Sequence, residues 1–346
     1  MAIPVRPMGS QGMQASMQGF GCMGLTAFYG AAVDDDKGLE VLEKALELGV
    51  THFDTAEMYR GKDAAGNEKT NEDLVGKFAA KVGREKITIA TKYWPGAHND
   101  DCSLGAVREA LTASLGRLGT DCVDLYYLHR IPSDEHLKAF MEAAKQMVAE
   151  GKCKYVGVSE ATPAQIRMAH AIHPLTAVQQ EWSLLIRNLE AEIVPTCREL
   201  GIAVVAYSPL CRGFTSGLVK KAEDWAKIGN AGGAATGFQA ACPHLSGENA
   251  EKNAALLAPL EDAAKAQGVT PAQMSLAWVH AQGEDVFPIP GTTKIANLTS
   301  NVAAAGLALS VGAEVFKGIG ESVDSSKVVG DRYPEGIHNL SFESKK

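Results

Sequence analysis

Asp54, Tyr59, Lys92 and His129 sit at or just beyond the ends of strand-like runs, in GVTHFD, DTAEMYRG, ITIATK and VDLYYLH. A carboxylate, a phenol, an ammonium and an imidazole together make an acid able to protonate a carbonyl oxygen. Tyrosine titrates at about 10 and is a reluctant acid at neutral pH, but a nearby cation lowers that value by stabilising phenolate. Lys92 can supply the cation, and Asp54 can keep the ammonium charged in a partly dry pocket through a charge-assisted hydrogen bond. His129, with one ring nitrogen donating, can orient a carbonyl oxygen toward Tyr59. Proton and polarisation then come from the protein, and a hydride must come from a cofactor. Taken singly, the four read as a helix cap, a rim aromatic, a solvent-facing lysine and a core histidine. Taken together at successive strand ends, they favour the chemical reading.

The elements that must position them are eight short apolar runs, at 19–24, 49–54, 87–92, 123–129, 154–159, 176–181, 202–208 and 285–291, alternating with helical patterns. That rhythm predicts an α/β chain folded as a (β/α)8 TIM barrel, a fold that gathers its chemistry at the C-terminal strand ends. Leu39, Leu42 and Leu46, then Leu104, Val107, Leu111, Leu115 and Leu118, then Ile193, Val194, Cys197 and Leu200 recur at helical spacing. Asp34 to Asp36, Ser103, Thr162-Pro163 and Thr270-Pro271 read as helix starts, and Gly49 and Gly201 as stops. With no composition break, residues 1–346 read as a single domain, with a core of about residues 17–310 and a polar tail from Gly330 to Lys346 expected to lie over the surface. The exception to the rhythm is Gly213 to Asn249, a long catalytic-face loop between strands seven and eight. Its Gly229–Gly237 stretch reads equally as lid or passive insertion, and Phe238 onward as the better lid. His52 is expected on the helix-layer side of its strand, opposite Asp54.

Of the 346 residues, 33 are Lys or Arg and 41 Asp or Glu; the resulting net charge of -8, without a basic block, argues against nucleic acid or an anionic membrane as partner. Seven cysteines with no CxxC pair suit reduced thiols in a cytoplasmic protein. The start, MAIPVRPMGSQGMQASMQ, lacks a secretory apolar region, and no apolar run is long enough to span a bilayer. The histidines show no HExxH or comparable spacing, so no metal is expected. No GxGxxG follows an early strand, the GFGCMG of 19–24 falling on the first strand-like run itself, as suits a barrel rather than a doubly wound fold.

The segments GFGCMGLTAFYG, THFDTAEMYRG, TNEDLVGK, IATKYW, DLYYLHR, KCKYVGVSE, AVQQEWSLL, VVAYSPLCRGF and PIPGTTKIANLTSN, in that order and spacing, resemble the aldo-keto reductases across nearly the whole chain. GCMGLTAFYG, QEWSLL and PIPGTTKI are most similar to the plant-type and microbial branch of auxin-induced and perakine-reductase-like proteins. The resemblance implies an NADPH-dependent reductase of aldehydes and ketones, with NADH the less favoured cofactor, acting on small molecules as a monomer or weak homo-oligomer. It implies Tyr59 as general acid, Lys92 and Asp54 as its tuning partners and His129 as orienting donor. It further implies that Ser159 and Gln179 contact the nicotinamide amide and that Tyr207 stacks on the ring. Ser208, Leu210, Arg212 and Gly213 would hold the pyrophosphate, and Gly291, Thr292, Thr293, Lys294, Asn297 and Asn301 the 2′-phosphate and adenine. The chain departs from the pattern at Glu160, where many relatives have Asn, at Asn297, where many have Arg, at Ser300, where several are acidic, and at Cys211, usually Gly. Substrate selection is expected from Met23, Phe28, Tyr29, Tyr93, Trp94, the loop on the Asn71 side and the lid. The alternative implied by the family is an NADP(H)-binding redox-sensing or channel-associated regulatory subunit with residual reductase activity. Double-bond reduction is disfavoured by His129, since relatives doing that chemistry carry Glu there.

Overall fold

The computed structural model describes residues 3–228, 237–334 and 341–345. All eight predicted strands are present: β1 Phe20–Gly21, β2 His52–Asp54, β3 Thr88–Tyr93, β4 Val123–Leu128, β5 Cys153–Ser159, β6 Leu175–Glu181, β7 Ala203–Tyr207 and β8 Val286–Pro288. They pair in parallel in sequence order. The barrel closes where Gly19 N–H donates to Pro288 O at 3.0 Å. Glycine is required at this seam, because a Cβ on Gly21 would lie 2.6 Å from Ile289 O and one on Gly291 2.3 Å from Gly21 O.

The helices arise as their stripes and caps dictate. Asp34 accepts from Asp36 N–H, Ser103 from Ala106 N–H, and Thr162 and Thr270 each form a capping box with the Gln three residues on. Gly49 and Gly201 follow their helices with φ of 95° and 67°. Val107, Leu111, Leu115 and Leu118 bury one face of Leu104–Leu118, and Ile193, Val194 and Cys197 one face of Ile193–Glu199. With Phe53, Ile89 and Tyr93 of the strands they belong to the outer core. The inner core holds Ala90, Leu125, Tyr127, Ala177, Ala203, Val205 and Phe287.

Several features depart from the sequence reading. The N-terminal segment forms an antiparallel hairpin, Val5–Met8 with Met13–Ser16, whose Met8, Met13 and Ala15 pack on the inner core and plug the barrel floor. Its strands are too short for alternation to stand out. A second hairpin, Arg60–Lys62 with Glu68–Thr70, occupies the long loop after Tyr59; Asp63 accepts from the N–H groups of Ala65 and Asn67 at 2.9 Å each. Gly213 to Asn249 contains short helices anchored by buried Phe214, Val219, Trp225, Cys242 and Leu245. Of the proposed lid Gly229–Gly237, residues 229–236 lie outside the described residues.

Two expectations are corrected. His52 faces the barrel interior, because residues two apart on a strand share a face: His52 lies on the side of Asp54, while Phe53 between them packs on Phe20 and Phe78. The described part of the tail is not confined to the surface, since Arg332, Tyr333, Ser341 and Phe342 are buried, drawn in by carboxylates at the strand ends.

Gly21→Ala places a methyl against the Ile289 carbonyl just after β8 and should lower stability by about 1–3 kcal/mol, as overpacking does. Urea denaturation followed by circular dichroism tests this, and an unchanged midpoint would show that the seam yields.

Candidate active site

Strand alternation builds the site. Inward positions at the C-terminal ends are Asp54 on β2, Lys92 on β3, His129 just after β4, Ser159 on β5, Gln179 and Glu181 on β6 and Tyr207 on β7. Tyr59 arrives from the loop after β2, and its main chain is held from three sides. Its carbonyl accepts from Asn71 N–H at 2.9 Å and Thr26 Oγ1 at 3.2 Å, while its N–H donates to Ala56 O at 3.1 Å. Asn71 locks this corner: it accepts from Thr55 Oγ1 at 2.6 Å and donates to Cys22 O and Thr26 Oγ1, both at 2.8 Å.

Lys92 Nζ is enclosed. It is ion-paired with Asp54 Oδ1 and donates to Thr55 O at 2.7 Å and Tyr59 Oη at 3.3 Å. The other Asp54 oxygen accepts from Gln179 Nε2 at 2.8 Å. Burial alone would favour the neutral amine, but Asp54 and Tyr59 hold the Lys92 pKa above its ordinary value. Burial raises the Tyr59 phenol, with Lys92 pulling the other way. The sequence reading considered only the second effect; in the folded chain burial outweighs the cation. Burial, then Arg130 and Lys92, push His129 well below its usual value, so its imidazole is neutral. The His129 ring stands edge-on to Tyr59, centroids 5.6 Å apart, and Trp94 flanks it at 5.3 Å. His129 Nδ1 is buried without a hydrogen-bond partner among the described residues.

The quartet is therefore brought together. Ser159 and Gln179 are buried beside it, Ser159 Oγ accepting from Arg130 at 3.4 Å. The half-buried Tyr207 ring lies at the next strand end, and its hydroxyl donates to Glu160 at 2.7 Å. After β7 the backbone is left-handed at Ser208, Cys211, Arg212 and Gly213, with Leu210 among them. The Arg212 guanidinium points away from solvent into an ion pair with Glu181 at 3.2 Å. Beyond β8, Gly291, Thr292, Thr293 and Lys294 lead into the helix Ile295–Ser310; Lys294 N–H donates to Thr292 Oγ1 at 3.1 Å, and the first turn has no other side-chain cap. Lys294 and Asn297 are exposed there, while Asn301 is buried on the second turn.

At the mouth, Phe28 meets Phe238 at 5.3 Å and Tyr59 at 6.4 Å, and Tyr29 meets Phe238 at 6.5 Å. Tyr93, expected in the pocket, faces the helix layer, stacked on His98 and Phe140, because it follows inward Lys92. Residues missed in the sequence include Asn71, Arg130 and Glu57, which accepts from Trp94 N–H at 2.5 Å and pairs with His98 at 3.1 Å. Polar residues within or beside apolar patterns were their signal. Arg332 and Tyr333 gave none, since the tail reads as polar surface. Among the described residues no group of three His, Cys, Asp or Glu could hold a metal, and no single helix is long and apolar enough to cross a bilayer.

Residues 19–320 match the aldo/keto reductase family. The chain is 44% identical over 347 residues to a probable aldo-keto reductase 1 of Glycine max, covering 98% of this chain and 94% of that protein. Among solved structures it is similar to a thermostable aldo-keto reductase in complex with the inhibitor epalrestat, with a TM-score of 0.72 and 26% identity over 92% of this chain and 100% of the other. It also shares its fold with a glycerol dehydrogenase from Gluconobacter oxydans, TM-score 0.75 and 23% identity, over 92% of this chain and 94% of the other. With the match running through every barrel strand, the chain belongs to the aldo/keto reductase family, oxidoreductases that act on carbonyl and alcohol groups with a nicotinamide cofactor.

Proposed function

We propose that this protein reduces aldehydes and ketones to alcohols with NADPH, Tyr59 donating the proton. The observation that carries this reading is the continuous link from Asp54 through Lys92 Nζ to Tyr59 Oη beside a neutral His129. The nicotinamide cofactor, when bound, supplies the hydride. As Tyr59 gives up its proton, the charge left on Oη meets the Lys92 ammonium 3.3 Å away, already in place and screened from water. Asp54, braced by Gln179, keeps that ammonium charged and aimed. Neutral His129 offers a ring N–H that orients the substrate oxygen toward Tyr59. Phe28, Tyr29, Trp94 and Phe238 make an aromatic mouth suited to aromatic or medium-sized carbonyl compounds.

The chain's residues fit a nicotinamide nucleotide. Ser159, Gln179 and the Tyr207 ring would hold the nicotinamide end. The tight turn from Ser208 to Gly213, left-handed at Ser208, Cys211, Arg212 and Gly213 and closed by Cys211 N–H on Ser208 O and Gly213 N–H on Leu210 O, would lie along the pyrophosphate, the Arg212 side chain being engaged elsewhere. The N-terminus of Ile295–Ser310, with Lys294 and Asn297 exposed on it, would take the 2′-phosphate. Seven free cysteines, six of them buried, support a reducing, cytoplasmic setting.

Tyr59→Phe should lower carbonyl reduction about 10²–10⁴-fold while leaving NADPH binding nearly intact, general acid catalysis being the function removed. Retention of more than half the wild-type turnover, with chemistry rate-limiting, would remove Tyr59 from that role. Lys92→Met should be comparably damaging, because it strips the phenol of the cation opposing the effect of burial. A folded Lys92→Met protein with full activity and an unaltered pH profile would refute the coupling. Lys294→Ala should weaken NADPH roughly ten- to a hundredfold, the worth of a hydrogen bond to a charged group, and leave NADH little changed. Fluorescence quenching measures both, and equal losses would place Lys294 away from the phosphate.

A further inference from the structure

The C-terminal tail inserts one arginine into a cluster of carboxylates at the strand ends. Glu160 and Glu181 are fully buried, and Glu160, directly after β5, has a left-handed φ of 55°. Arg332, whose side chain is 3% exposed, uses its whole guanidinium on these two and on Glu343 of the tail itself. Nη2 donates to Glu160 Oε2 at 2.7 Å, Nη1 to Glu181 Oε2 at 3.0 Å and Nε to Glu343 Oε2 at 2.7 Å. Nη1 also reaches Glu160 Oε1 at 3.4 Å, and the tail adds a third bond to Glu160 from Phe342 N–H at 3.3 Å. Glu160 Oε1 also accepts from the Tyr207 hydroxyl at 2.7 Å, and Tyr207 also meets the hydroxyl of Tyr333 at 2.7 Å.

We propose that Arg332 is a positioning residue of the cofactor site, holding Glu160 so that Glu160 holds the Tyr207 ring, and thereby coupling the tail to nicotinamide nucleotide binding. The inference rests on the reading that Tyr207 lines the nicotinamide pocket. Its physical basis is the cost of burying charge. A carboxylate with no water around it keeps its charge and its place only if paired and hydrogen-bonded. Planar, forked donation lets one guanidinium bridge several carboxylates at once in a fixed geometry, whereas a lysine offers a point charge on a flexible stem. The groups facing Glu160 are Arg332, Tyr333 and Phe342 N–H from the tail, Arg130 after β4, Glu181 on β6 and Tyr207 on β7. Burial raises the Glu160 pKa, but Arg332 and Arg130 outweigh it and bring it to about 2. In the intact protein Glu160 is therefore charged at every working pH.

Arg332→Met leaves Glu160 and Glu181 buried with one cation fewer. NADPH affinity, read by fluorescence quenching on the full chain, should fall on the order of tenfold at pH 8. It should recover as pH drops below 8, because Glu160, left with Arg130 as its facing cation, is pushed by burial toward taking up a proton. The intact protein should lack this ionisation. Arg332→Met/Glu160→Gln should regain most of the affinity, whereas Arg332→Met/Glu343→Gln, with the same net charge but a change at the carboxylate that bonds Arg332 and Asn188 instead of Tyr207, should not. Thermal melts run beside each titration, and Arg332→Lys, which keeps the charge but loses the fork, should fall between the intact protein and Arg332→Met in affinity. Unchanged affinity with no new pH dependence in Arg332→Met, or equal rescue by both double variants, would overturn the proposal. Tyr207→Leu separates the two layers. If it loses affinity while Arg332→Met does not, only the role of Arg332 falls. If it binds as tightly as the intact protein, the reading of Tyr207 falls and this proposal with it.

Discussion

An ammonium sealed inside a barrel sets the terms for everything around it. Lys92 and Asp54 have side-chain exposures of 0% and 3%, and charges so deeply buried persist only with complementary charge and full hydrogen bonding. The three Lys92 donors go to Asp54, Thr55 O and Tyr59 Oη, and the spare Asp54 oxygen goes to Gln179. One ion pair thus ties β2, β3, β6 and the loop carrying Tyr59. The tyrosine hydroxyl is part of what makes the buried lysine tolerable, so the arrangement that stabilises the charge also fixes the Tyr59 hydroxyl in place.

Around that centre the supports are graded by rigidity. The inward groups of the quartet other than Tyr59 stand at or next to strand ends, where parallel pairing fixes their height: Asp54 is in register with Ala90, and Lys92 with Tyr127. Tyr59 lies on a loop and needs Asn71 and Thr26 to hold its main chain. Trp94, beside His129, is held through its N–H by Glu57, which itself pairs with His98. Further out, Glu160, Glu181, Arg212 and Arg332 form a second buried charge cluster. It draws a polar tail into the rim because burying those carboxylates without it would be costly.

Much of this was legible in the residues. Eight apolar runs in alternation with capped helical stripes determine a parallel barrel, since each run can bury itself only between helices and neighbouring strands. The quartet was legible for the same reason: strand ends are predictable, and a barrel gathers the reactive side chains at those ends into one place. Two expectations failed against the strand's period of two: His52 shares the face of Asp54, and Tyr93, next to inward Lys92, turns outward.

What only the tertiary structure decided is where long-range partners meet and which electrostatic effect prevails. Arg332 lies 172 residues from Glu160 and Asn71 lies 49 from Cys22, and no local pattern marks either pairing. Whether Lys92 lowers the Tyr59 pKa or burial raises it depends on how much water the closed barrel excludes, a property of packing in three dimensions. The sequence by itself determined the strand order, the capped helices and the residues that meet in the quartet, because these follow from local periodicity and residue chemistry. The enclosed charges, the inserted tail and the balance of their pKa values belong to the fold, because each depends on neighbours that come together only when the chain closes.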